Sequence, residues 1–91
     1  MPTESPTIPY TYRVLLFGPE AAACGKSETL LPGDGPALSI AEIKTHLARV
    51  EPALVTSLRS ARIAVNHAFV NDTTMVRPED EIALIGFVSG G

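Results

Sequence analysis

The sequence is short of the residues from which independent active sites are usually built. It has one cysteine, Cys24, and two histidines among 91 residues. A lone thiol cannot staple the fold, and with two histidines it falls short of a four-ligand metal set. Cys24 is therefore expected to act as a small buried or half-buried hydrophobe. Basic clusters are absent too: 7 Lys and Arg stand against 10 Asp and Glu, for a net charge of −3. That balance argues against nucleic acid and favours a partner with a positive surface. No apolar run approaches the roughly 20 residues of a membrane span, and the opening "MPTESPTIPYTY" lacks the cationic and apolar regions of a secretory signal. A cytoplasmic location is the resulting expectation.

What is present suits one small globular domain. Apolar residues make up 45% of the chain and charged residues 19%. A chain of this size can bury roughly 60–65% of its unfolded surface in a single core. Residues 1–11 read as a flexible, proline-rich leader, residues 12–87 as the domain and residues 88–91 as a mobile tail. "YRVLLFG" reads as a first strand, with Val14 and Leu16 inside and Leu15 and Phe17 on the side of Arg13. After "PEAAACG", a compact turn or single helical turn, "KSETLL" reads as an antiparallel partner strand, and "PGDGPA" breaks it.

Ser39 followed three residues later by Glu42 forms a capping box. It opens a helix whose Ile40, Ile43, Leu47 and Val50 make one apolar stripe, and Pro52 ends or restarts it. A short helical stretch is expected at "ALVTSL". In "ARIAVN", Ile63 and Val65 alternate with Arg62 and Ala64 as in a strand with one wet face. "NHAFVNDTTMV" holds turns around a short strand, and "EIALIGFV" reads as the last strand, with Ile82 and Leu84 inward and Ala83, Ile85 and Phe87 outward. The order β-β-α-β-β(-β) around one helix predicts an α+β fold of the β-grasp, ubiquitin-like kind, a mixed sheet with one main helix on one face. The other sheet face would then carry Leu15, Phe17, Ala83, Ile85 and Phe87, a candidate binding patch.

The folded body offers no convergent catalytic set. His46 reads as a solvated helix position and His67 as a hairpin-turn residue. Glu79, Asp80 and Glu81 are consecutive and read as a solvated turn. "GPEAAACGKS" resembles a phosphate loop, but 6 residues separate Gly18 from Gly25 where that motif has 4. The remaining reactive group is the carboxylate of Gly91, preceded by Gly90. A carboxylate becomes an acyl donor once activated, for example as a mixed anhydride with AMP in another protein's ATP site. Glycine lets the chain thread a narrow channel and leaves the carbonyl open to attack.

"VLLFG", "GKSETL", "IAVNHAFV" and "PEDEIALIGFVSGG" occur in the order and spacing of the small, sulfur-carrying subunit of molybdopterin synthase, and the chain resembles the MoaD/ThiS family over residues 12–91. The resemblance implies a carrier and not a stand-alone enzyme. An E1-like adenylyltransferase/sulfurtransferase would adenylate Gly91 with ATP, and sulfur transfer would leave a thiocarboxylate, while the chain itself binds no cofactor. The tail would then enter the large synthase subunit, in a heterotetramer of two small and two large subunits, where its sulfur builds the dithiolene of molybdopterin. Gly91 would carry the sulfur, Gly90 would give slim access, and Phe17, Phe69, Ile85, Phe87 and Val88 would meet the partner. Gly86-Phe87 stands where family tails carry a proline pair, and Gly86 is expected to loosen the base of the tail. "EAAACG" also lacks a charged residue usual before that glycine. Other carrier pathways (thiazole synthesis, tRNA thiolation, protein conjugation) and a non-covalent ubiquitin-like interaction domain are the alternatives. The length between the helix and "ARIAVN" favours molybdopterin over thiazole.

Overall fold

Residues 10–86 are described in the computed structural model of the protein. The first nine residues lie outside them, as do Phe87, Val88 and the tail through Gly90 and Gly91.

Strand β1 spans Tyr10–Leu16, two residues earlier than the expected leader boundary, and alternates as predicted: Tyr12, Val14 and Leu16 are buried while Thr11 and Arg13 are exposed. The next segment is more than a turn. Gly18–Cys24 forms helix α1, which Gly25 closes in the left-handed region at φ +68°. The Gly25 N–H donates to Ala22 O and the Lys26 N–H to Ala21 O, a Schellman motif that satisfies the last carbonyls. Strand β2, Glu28–Gly33, pairs antiparallel with β1 and runs on through Pro32 and Gly33, the start of the expected break. It lies at the sheet edge, where Pro32 takes no ladder bond away from an inner strand.

Helix α2, Ile40–Val50, begins with the anticipated capping box. Ser39 Oγ accepts from the Glu42 N–H at 3.1 Å, and the Ser39 N–H donates to Glu42 Oε1 at 2.8 Å. Its buried stripe is Ile40, Ile43 and Leu47. Val50 departs from the expectation: it is 40% exposed, because the helix ends there and the chain turns away at Pro52 before the sheet covers it. Two 3-10 turns, Pro52–Leu54 and Ser57–Arg59, fill the expected short helical stretch. Strands β4 (Arg62–Val65) and β5 (Ala68–Phe69) then form a hairpin, and β7 (Ile82–Ile85) closes the sheet. Two-residue strands β3 (Leu38–Ser39) and β6 (Met75–Val76) pair separately.

The main sheet has the order β2-β1-β7-β4-β5. β7 runs parallel to β1 and antiparallel to β4, so the sheet is mixed. α2 covers one side of it, and Val14, Leu16, Ile63, Ile82 and Leu84 meet Ile43, Leu47 and Leu54 in the core. Each such side chain contributes about 1.5–3 kcal/mol on burial. The architecture is the predicted β-grasp, and among the described residues no helix covers the opposite side of the sheet.

Candidate docking face

Strand register assembles the open side. One row across the sheet joins Leu15, Ala83, Ala64 and Phe69, since Leu15 pairs with Ala83, Ala83 with Ala64 and Ala64 with Phe69. Ile85 pairs with Arg62 in the next row, and Phe17 follows the end of β1 beside it. Phe17, Phe69 and Ile85 thus surround a hollow of about 420 Å³, floored by Ala64 and Ala83 and bounded by His67 and Glu81. Phe17 and Phe69 are each 52% exposed. Half-exposed aromatic rings around small residues give a concave apolar surface, the form taken by interface hot-spot pockets.

Polar groups hold this rim in place. The Arg62 guanidinium lies 4.0 Å above the Phe69 ring, a cation–π contact that fixes the ring on the edge strand. Asn66 and His67 link β4 to β5 with φ of +51° and +73°, the pattern of a type I′ hairpin turn. His67 Nε2 is 3.2 Å from Glu81 Oε2. Asn66 also reaches β7: its Oδ1 accepts from the Glu81 N–H at 3.0 Å, and its Nδ2 donates to Asp80 Oδ1 at 3.1 Å. Asp80 is therefore more than a solvated turn residue. Its Oδ2 accepts from the Arg77 N–H at 2.8 Å, and these bonds, Arg77's first, hold its carboxyl below the usual range. A second hollow, of about 600 Å³, continues the open face toward Arg13, Leu30, Glu79 and Glu81. The face is thus apolar where β7 ends and charged where it begins.

A buried cluster on the covered side had no sequence signal. Glu51, at the C-terminus of α2, accepts from Lys26 Nζ at 2.7 Å and from Thr29 Oγ1 at 2.8 Å. The Lys26 bond first, then Thr29, holds the Glu51 carboxyl below its ordinary range. Burial, with Glu51 nearby, pushes the Cys24 thiol up, which disfavours its thiolate form. Lys26 and Glu51 are 25 positions apart, beyond any local pattern. Cys24 is half-buried against the core and His46 half-buried on α2. Among the described residues no group of three or more His, Cys, Asp or Glu could hold a metal ion. No helix among them is long and apolar enough to cross a membrane.

A parallel β1–β7 pair clasping one helix, with an apolar hollow at the end of β7, defines a ubiquitin-like β-grasp domain with a candidate docking face. Solved structures agree on the fold. The crystal structure of SAMP1 from Haloferax volcanii has a TM-score of 0.74 at 20% identity over 89% of this chain and 99% of that one. SAMP1 from Methanosarcina acetivorans, a small archaeal modifier protein, gives 0.69 at 22% identity over 92% and 99%. A chain in the complex of subunits 1 and 2 of the molybdopterin-converting factor from Helicobacter pylori 26695 gives 0.63 at 22% over 89% and 99%. No curated protein matches the sequence significantly. The profile of the ThiS family matches residues 14–91, and the chain belongs to that family, the ubiquitin-like sulfur carriers and modifiers.

Proposed function

We propose that this chain is a sulfur carrier whose reactive group is the carboxylate of Gly91, and that its recipient is the large subunit of a molybdopterin synthase. The observation that carries the reading is the apolar hollow of Phe17, Phe69 and Ile85, which opens one residue before Gly86 at the end of β7. Gly91 lies five positions after Gly86 in the sequence, a covalent reach of at most about 18 Å. A partner seated on the hollow would therefore have its catalytic groups within range of the tail. Activation runs in two steps. The Gly91 carboxylate attacks the α-phosphorus of ATP and expels pyrophosphate. A hydrosulfide equivalent from a sulfur donor then attacks the acyl carbon, AMP leaves, and a thiocarboxylate remains. Both steps belong to an E1-like partner, because the carrier supplies docking surface and acyl group only. Phe87 and Val88 would extend the docking surface, and Gly90 would let the end enter a narrow site.

The likeness to a molybdopterin-converting factor chain supports the synthase reading. The likeness to two archaeal modifier proteins supports a second one, attachment of Gly91 to protein amines. Intact mass after incubation with ATP, the E1-like enzyme and a sulfur donor tests both. A gain of one sulfur for one oxygen at Gly91 is expected, and an unchanged mass with a competent activator sinks the carrier reading. Deleting Gly91 should abolish the exchange with little change in thermal stability. Restored molybdopterin in cells lacking their own carrier selects the synthase role, and accumulation of isopeptide-linked adducts selects the modifier role.

A further inference from the structure

Glu20 and Gly86 meet in a way that core packing does not explain. Glu20 lies in the first turn of α1 and is 7% exposed, although carboxylates are costly to bury and the helix is otherwise rich in alanine. Its carboxylate rests against Gly86, the residue that follows β7. A Cβ built on Gly86 would overlap both Glu20 carboxylate oxygens and stand 2.6 Å from Glu20 Cδ. The obstacle is the head of a long side chain, so a substituent at 86 would be accommodated by evicting Glu20 and not by breaking the sheet. Topology explains the meeting. Phe17 follows β1 as the N-cap of α1, its carbonyl accepts from the Glu20 and Ala21 N–H groups at 3.2 Å, and β1 runs parallel to β7. The first turn of α1 therefore stands at the place where the chain leaves β7. The same turn carries Phe17 of the docking hollow.

We infer that Glu20 is a positioning residue: its carboxylate seats the backbone of Gly86 and fixes the point at which the chain leaves β7. The inference rests on the reading of Gly91 as the activated end. It reverses the expectation drawn from Gly86 alone, since the missing side chain at 86 makes room for a seat instead of loosening the tail.

The test uses the full chain, ATP and the E1-like enzyme, with adenylation followed by pyrophosphate exchange over a range of carrier concentrations. In Glu20→Ala the Gly86 backbone is no longer held in place and the binding-competent fraction of the chain falls, so KM should rise about 3- to 10-fold while kcat stays within about twofold. Glu20→Gln refills the same space and should restore the wild-type KM. Gly86→Ala should match Glu20→Ala. The double variant Glu20→Ala/Gly86→Ala should be no worse than either single change, because both remove one contact. A role in folding alone would instead change the melting temperature in step with activity. An unchanged KM in Glu20→Ala, or additive effects in the double variant, overturns the inference. The backbone amide signal of Gly86 in the free protein provides an arm independent of chemistry. If wild-type chain is not adenylated at all, the carrier reading fails. The seat then stands if Glu20→Ala moves the Gly86 signal and falls if it does not.

Discussion

The two faces of the central sheet are made of alternate residues on the same strands, and both carry large apolar side chains. On one face Val14, Leu16, Ile63, Ile82 and Leu84 are buried under α2. On the other, Leu15, Phe17, Ala64, Phe69, Ala83 and Ile85 have no helix above them, and the two phenylalanines stand half in solvent. Hydrophobicity alone does not distinguish these sets. What distinguishes them is that the described residues supply one long helix and therefore one lid. The uncovered set is a candidate interaction surface, in the way that exposed apolar patches mark interaction sites.

Mutation of the two faces should separate stability from binding. The largest effect is expected from Leu84→Ala on the covered face, which should lower unfolding free energy by about 2–5 kcal/mol in denaturant titration. A loss below about 1 kcal/mol would mean that the covered face is not the core. At the edge of that core, Glu51→Gln should lower stability by about 1–3 kcal/mol at pH 7, since it weakens the bonds from Lys26 and Thr29. This variant also carries the pH signature. The Glu51 and Asp80 carboxyls sit below their ordinary range in the folded state, so the unfolded chain binds more protons as the medium is acidified. Their contribution is complete above the ordinary carboxylate values of about 3.9–4.3 and is lost as pH falls through the lower folded values. Glu51→Gln should therefore narrow its deficit against wild type on acidification, as measured by melting at stepped pH.

On the open face the same size of change should leave the fold alone. Phe17→Asp should weaken binding to the E1-like enzyme at least tenfold, about 1.4 kcal/mol or more. Stability should hold or rise slightly, because Phe17 is the N-cap of α1 and aspartate is a favoured capping residue. A melting temperature lowered by many degrees would place Phe17 in the core and erase the contrast between the faces. The smallest effect is expected from Arg62→Ala. Loss of its contact with the Phe69 ring should weaken the same binding by about 0.5–1 kcal/mol, visible in calorimetric titration.

How legible each part was depends on the range of the interaction behind it. The capping box at Ser39 and Glu42 and the alternation of β1 are local patterns, and the structure follows them. In β7, by contrast, Ala83, expected outward, is buried along with Ile82 and Leu84 because it is a small residue on the central strand. Given one amphipathic helix, parity also placed Phe17 and Ile85 on the open face. Phe69 came from the family resemblance, because a two-residue strand has no parity to read. Val50 continues the helical spacing yet lies at the helix end, where the sheet no longer covers it. The pairing of β3 with β6 and the bond from Lys26 to Glu51 join distant segments through single contacts, which leave no periodicity in the chain. Glu20 was missed for the same reason: an acidic residue in a first helical turn is ordinary until the residue it touches, Gly86, is known.

The place of β7 in the sheet order also governs when the protein can be used. It is the last strand in the sequence but lies in the middle of the sheet, joining the β2-β1 pair to the β4-β5 hairpin. Until it inserts, two hairpins have no shared sheet, and the docking hollow lacks both Ala83 and Ile85. Assembly of the hollow and completion of the fold are thus one event. A chain that has not folded therefore lacks the hollow altogether.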